Sequence, residues 1–228
     1  MKPSLRLGRL VGALILVQMI GSYVVNFVLQ APLFGTPGFL DAAAPHAGQI
    51  AISALAGIAL GAIWLAIAIA LFPEVSRLSQ RLALWLFALA AICLATSVVE
   101  HMNVMSMLTL SEAYAKAGPA DRGQFQLLRV VVGSGRNWPH FTQIILSGCT
   151  MFVFYLTLMR FALVPRVIPA FGLVAVLLQV AAVAMPYFGQ SVIFPMLAPL
   201  GLVQLALVLW LLVKGFNFPV TRAPVNGS

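Results

Sequence analysis

The sequence predicts an all-α fold, a polytopic transmembrane bundle of about six spans with both termini in the cytoplasm, and three observations predict it. First, 62% of the 228 residues are hydrophobic and only 8% charged, with a mean hydropathy of +1.04. That leaves too little polar surface to cover a water-soluble globule. Second, the apolar residues come in long unbroken runs. Every backbone amide in hydrocarbon needs an internal partner, so a spanning segment is a helix or part of a closed barrel, and such runs lack the alternation a barrel requires. Third, lysine and arginine gather on alternate connections, the pattern that fixes orientation.

Six stretches reach the roughly 20 apolar residues of a span: 9–30, 49–72, 82–110, 138–160, 168–187 and 191–214. Residues 1–228 therefore read as a single transmembrane domain without a soluble module. Lys2, Arg6 and Arg9 precede the first stretch like the basic region of a signal peptide. The stretch is too long for one and no small-x-small site ends it, so an uncleaved anchor is expected. In the second stretch Ser53, Gly57 and Gly61 recur every fourth residue, a spacing that lets backbones approach closely. Packing inside the bundle is expected there, ahead of a dimer interface. Pro169 and Pro186 bracket the fifth stretch, and Pro195 and Pro199 make the start of the sixth a loop entry or a kink. Two connections are long: 31–48, and 111–137, where QFQLLRVVV suits a short interfacial helix or a plain loop. Asn137, ahead of Trp138 and Pro139, suits the N-cap of the fourth span.

Lys2, Arg6, Arg9, Arg77, Arg81, Arg160, Arg166, Lys214 and Arg222 all fall on the terminal side, opposed by Glu74 alone. Basic residues resist translocation, so that side is expected to be the cytoplasm of a bacterial cell, with the chain in its cytoplasmic membrane. The opposite side sets Lys116, Arg122, Arg129 and Arg136 against Asp41, Glu112 and Asp121. The same distribution accounts for the formal charge of +8. Single basic residues beside helix ends meet anionic headgroups, and no basic cluster interleaved with aromatics argues for nucleic acid. Membrane lipids are the expected partners; nothing in the residues specifies a cofactor or an oligomeric state. Cys93 and Cys149 fall at mid-span and read as packing residues, without a disulfide framework or a zinc pair.

Polar residues inside the spans carry the functional expectation, because ionisable groups in hydrocarbon face a bundle interior or a wet cavity. Counting from Leu82, Glu100 and His101 stand about 27 to 29 Å up the third span. The fourth span runs the other way and brings Arg136 and His140 to the same level. Gln18, Ser22, Asn26 and Gln30 form an i, i+4 stripe on the first span with Tyr23 beside it; Asn103 follows Glu100 on the third, and Gln143 and Ser147 follow His140 on the fourth. A polar pocket toward the outer leaflet satisfies these groups, holding a small amphiphilic molecule. Glu100 is the candidate acid or base, His101 and His140 the proton shuttle, and Arg136 the partner of an anionic headgroup, with Asn26, Tyr23, Asn103 and Gln143 as binding residues.

Two other readings remain open. His101 and His140 with the sulfurs of HMNVMSM suit a haem or copper(I) site, although the spacing follows no strict ligand pattern, and no metal is assigned. Alternatively the bundle binds a lipid-like molecule or a membrane partner without changing it, since familiar nucleophile and phosphate-loop motifs are missing. GRLVGALILVQMIGSYVVNFVL, VPRVIPAFGLVAVLLQVAAVA and LVLWLLVKGFN, with its WLLVKGF signature, resemble a bacterial family of six-helix integral membrane proteins of unknown function. The resemblance implies the six-span architecture. It also implies a glutamate in the last span where this chain carries Gln204.

Overall fold

The computed structural model describes residues 3–219, so Lys2 and Arg222 lie outside the described residues. Helix α1 (Pro3–Tyr23) continues into a π-helical segment (Val24–Leu29). Two short helices, α2 (Ala31–Phe34) and α3 (Phe39–Ala42), and a 3-10 turn (Ala44–His46) lead into α4 (Ala47–Leu78). Then come α5 (Gln80–Lys116), α6 (Arg122–Arg160) and α7 (Val167–Ala184), two further 3-10 turns (Met185–Phe188 and Phe194–Leu197), and α8 (Ala198–Val213). Among the described residues there is no strand, and six helices are long and apolar enough to cross a membrane. Large side chains such as Leu55, Ile69, Phe171 and Leu202 are exposed on the outside of the bundle, as they must be where lipid is the solvent.

The spans form a closed ring. Each of α4 to α8 packs on the next, and α1 closes the circle between α8 and α4. At one end the described chain ends meet: Phe216 N donates to Ser4 O at 3.3 Å, and Asn217 N to Leu163 O at 2.8 Å. Gly8 permits that closure, since a Cβ there would collide with the backbone of Gly215. The ring is filled at this terminal end by Trp64, Ile67, Leu71, Leu86, Phe154, Tyr155, Leu158, Leu207 and Leu211, all buried. Trp64 meets Phe154 edge-on at 5.8 Å between centroids. At the far end α2 and α3 fold over the bundle as a cap, with Leu33, Phe39 and Leu40 seated on Ile50, Val104 and Met107. Ser111 pins the cap to α5: its Oγ donates to Leu40 O at 2.8 Å and accepts from Ala44 N at 2.9 Å.

Three expectations about connections are corrected. Residues 111–137 do not form a long loop: α5 runs on to Lys116 and α6 begins at Arg122. The 39 residues of α6 span about 58 Å, well beyond a hydrocarbon core of about 30 Å. QFQLLRVVV is thus part of the shaft, continuing its antiparallel pairing with α5; at the tip Tyr114 meets Phe125 at 5.7 Å. Asn137 consequently caps nothing, and Pro139 sits inside the helix, where its missing amide leaves the Gly135 carbonyl without its helical donor. The other long connection, 31–48, folds into the cap. The last α-helix starts at Ala198 rather than residue 191, with Pro199 in its first turn, where no amide is needed.

Candidate functional site

Above the filled end, the middle of the ring is open. A cavity of about 720 Å³ lies there, lined from all six spans. The reason is visible along α4, where Ser53, Gly57 and Gly61 occupy the inward face before Trp64 and Ile67 take it over. Gly57 and Gly61 pack within the chain. A Cβ on Gly57 would strike the His101 ring, and one on Gly61 would come within 2.7 Å of Ser97 Oγ.

Across the far end of this cavity runs a buried polar cluster. Glu100 Oε1 accepts from His140 Nδ1 at 2.7 Å and pairs with Arg136 Nη2 at 3.2 Å. Arg136 and His140 stand one turn apart on α6 and so face the same carboxylate. Arg136 Nη2 also donates to Gln30 Oε1 at 3.2 Å, while its guanidinium carbon lies 4.5 Å from the centre of the Phe34 ring. Glu100, Arg136 and Gln30 are 4, 5 and 0% exposed, so each charge depends on its partner rather than on water. The cluster is not fully satisfied. Gln30 Nε2 and Arg136 Nε are buried without a hydrogen-bond acceptor among the described residues.

Local structure delivers Gln30 and Phe34 to this point. The π-helical segment closes on Gln30, whose amide donates to Val25 O at 2.9 Å across five residues rather than four. Gln49 Nε2 then donates to the carbonyls of Val28 and Leu29, at 3.1 and 3.0 Å, and so holds the end of the segment against α4.

A carboxylate only accepts, so His140 carries a proton on Nδ1. The imidazole lines the cavity, and no hydrogen bond to Nε2 is found among the described residues. His101 also lines the cavity but belongs to a separate arrangement: its Nδ1 donates to Ser97 O at 2.7 Å, and its ring fills the notch at Gly57. Asn26 is on the wall, its Nδ2 donating to Ser22 O at 2.9 Å. Gln143 is on the wall as well. Tyr23 is on the wall and 63% exposed, its ring 5.2 Å from Phe27. Asn103 does not reach the cavity; it bonds back to Val99 O and packs over Gly135. His46, at the head of α4, is exposed and bonds to Ala42 O.

The two imidazoles thus turn Nδ1 toward different acceptors. The methionines of HMNVMSM also separate, with Met102 and Met105 exposed and Met107 buried under the cap. Cys93 and Cys149 are free thiols, Cys93 Sγ lying 3.3 Å from Thr150 Oγ1. Sequence reasoning gave too little weight to three wall or cluster residues. Gln30 was visible only as the last member of a stripe, while Gln179 and Gln204 are lone amides in otherwise apolar runs, the signal that could have found them. Gln204 Nε2 lies 3.0 Å from Met151 Sδ, and Gln179 Nε2 reaches Ile144 O at 3.5 Å.

A family model, the domain of unknown function DUF4386, matches residues 10–215. The chain belongs to the DUF4386 family. The match agrees with the resemblance to six-helix membrane proteins of unknown function. It runs from α1 through α8, so the filled end, the cavity and the polar cluster all lie inside the DUF4386 domain. No curated protein and no solved structure matches the chain.

Proposed function

We propose that this DUF4386 protein binds a small amphiphilic, lipid-like molecule in the cavity and performs acid–base chemistry on it through His140. One observation carries the reading: a buried carboxylate holds His140 Nδ1 at 2.7 Å, and the same imidazole lines the cavity. Such a pair fixes the tautomer and leaves Nε2 as the basic atom. In this scheme Nε2 takes a proton from the bound molecule, Glu100 stabilises the imidazolium, and the proton is returned to the product. Glu100 is therefore better suited to orienting the base than to being it, because Oε1 already serves His140 and Arg136.

The ligand's character follows from the walls. Leu60, Trp64, Met151 and Leu200 offer apolar surface. At the other end stands Arg136, whose buried Nε lacks an acceptor among the described residues, at a cost of about 1–3 kcal/mol. An oxygen-bearing head supplies such an acceptor. Tyr23, Phe27 and Phe194 line the cavity while remaining 63, 66 and 69% exposed, which supports entry from the lipid. We place the terminal end in the cytoplasm and the cluster toward the outer leaflet of a bacterial cytoplasmic membrane. Arg6, Arg9, Arg77, Arg81, Arg160, Arg166 and Lys214 on the terminal side support that orientation.

The test is mass spectrometry of the lipids that copurify with the wild-type protein, with Glu100→Gln and with His140→Gln. A single amphiphile enriched over bulk lipid is expected, with the two variants holding it in unreacted form. Bulk lipid composition in all three samples would sink the binding reading. The double engagement of Glu100 also favours a second, non-enzymatic reading in which the cluster only shapes a binding cavity. Identical bound species in wild type and His140→Gln would select it.

A further inference from the structure

A second cavity, of about 700 Å³, lies outside the first, between the α2–α3 turn and the far part of α6. Phe34 forms a wall of both, so a single ring, the one stacked on Arg136, stands between them. Thr36 from the turn and Gln126, Arg129 and Asn137 from α6 are polar residues that line this second space. Arg129 differs from the other arginines nearby. Arg136 is paired with Glu100 and Arg122 lies 5.6 Å from the centre of the Tyr114 ring. Arg129 has no hydrogen bond, ion pair or ring contact among the described residues. Its guanidinium rests against Gly38, where an added Cβ would stand 3.4 Å from Nη2. Gly38 has a φ of 112°, a conformation that suits glycine and leaves that space clear. The side chains of Thr36, Gln126 and Asn137 are likewise without partners among the described residues.

We propose that this second cavity binds a phosphate or carboxylate group, with Arg129 supplying the charge and Thr36, Gln126 and Asn137 the neutral hydrogen bonds. A guanidinium presents a planar fork of donors that matches such an anion in a bidentate way, and an unopposed one in a polar recess is free to do so. The main cavity is a poorer place for an anion, because its arginine is already neutralised by Glu100. Depth leaves two sources for the group. Arg129 is 31 residues from Arg160 on the same helix, about 46 Å if straight, against a bilayer of about 40–45 Å with its headgroups. A lipid headgroup and a free anion can both reach it.

The experiment uses the full chain in nanodiscs of phosphatidylcholine, titrated with inorganic phosphate, and in nanodiscs containing phosphatidylglycerol, with bound lipid counted by native mass spectrometry. Wild type, Arg129→Gln and Arg122→Gln are compared, both substitutions being on exposed side chains. Arg129→Gln is expected to weaken the anion by about tenfold, and Arg122→Gln to leave it within about twofold of wild type. Loss of phosphate binding identifies a free anion, and loss of phosphatidylglycerol alone identifies a headgroup; either supports the site. Equal binding of both probes by wild type and Arg129→Gln overturns it, as does an equal loss in Arg122→Gln, which would mean diffuse surface charge. The amphiphile of the main cavity is expected to copurify unchanged with Arg129→Gln, so failure here is distinct from failure of the proposed function.

Discussion

The terminal end and the middle of the helical ring are built from the same six segments and have opposite interiors. On α6 the inward residues nearest the chain ends are Met151, Phe154, Tyr155 and Leu158, all buried, whereas one to three turns before Met151 they are Ser147, Gln143 and His140 beside open space. On α4 the change is from Trp64, Ile67 and Leu71 to Gly57 and Ser53. The backbone ring is continuous across the boundary, so side-chain volume along one face decides where the bundle is solid and where it is hollow. The filled end is held by dispersion and shape. The hollow middle, between that core and the apolar cap, lacks such packing, and a buried ion pair with its hydrogen bonds takes over part of the cohesion.

The largest effects should come from the charge cluster and from the solid core. Glu100→Gln leaves the Arg136 guanidinium buried without a counter-ion, and a loss of about 3–5 kcal/mol is expected in detergent unfolding. Adding Arg136→Gln should restore part of it. Phe154→Ala opens a hole in the solid end, with an expected loss of about 3–5 kcal/mol. If unfolding instead shows a small loss there, that end is less tightly packed than drawn. Gly57→Ala, which sets a Cβ against His101, should cost about 1–3 kcal/mol. Most of that cost should vanish in a His101→Ala background, giving a clear coupling in a double-mutant cycle. Ser147→Ala faces the hollow, and its unfolding midpoint should correspond to a change within about 0.5 kcal/mol. Equal losses for Phe154→Ala and Ser147→Ala would erase the contrast between end and middle.

Much of this was legible in the residues, for reasons tied to lipid as a solvent. A hydrocarbon environment forces long apolar helices, so the spans can be counted by composition alone. The level shared by Glu100, Arg136 and His140 followed from a fixed rise per residue and two opposed helices, and the structure brings their side chains within hydrogen-bonding distance. The direction of each side chain was less legible. His101 follows Glu100 directly, yet the turn of the helix sends it to Gly57, and Asn103 points outside the cavity altogether. The far part of α6 was hidden because QFQLLRVVV mixes apolar and polar residues as an interfacial helix or a loop would, while pairing with α5 carries the shaft through it. Gln30 as a partner of Arg136 was out of reach for another reason. The π-helical segment shifts the register within α1's span, and nothing in the spacing of the residues announces it.

Closure of the circle by α1 and α8 has a consequence for how the molecule is made. Those are the first and last of the six segments to leave the ribosome, so the cavity has no complete wall until α8 has been made. Up to that moment the Glu100 and Arg136 charges have each other and His140 for shelter, which makes their early pairing in the α5–α6 hairpin a condition of safe assembly.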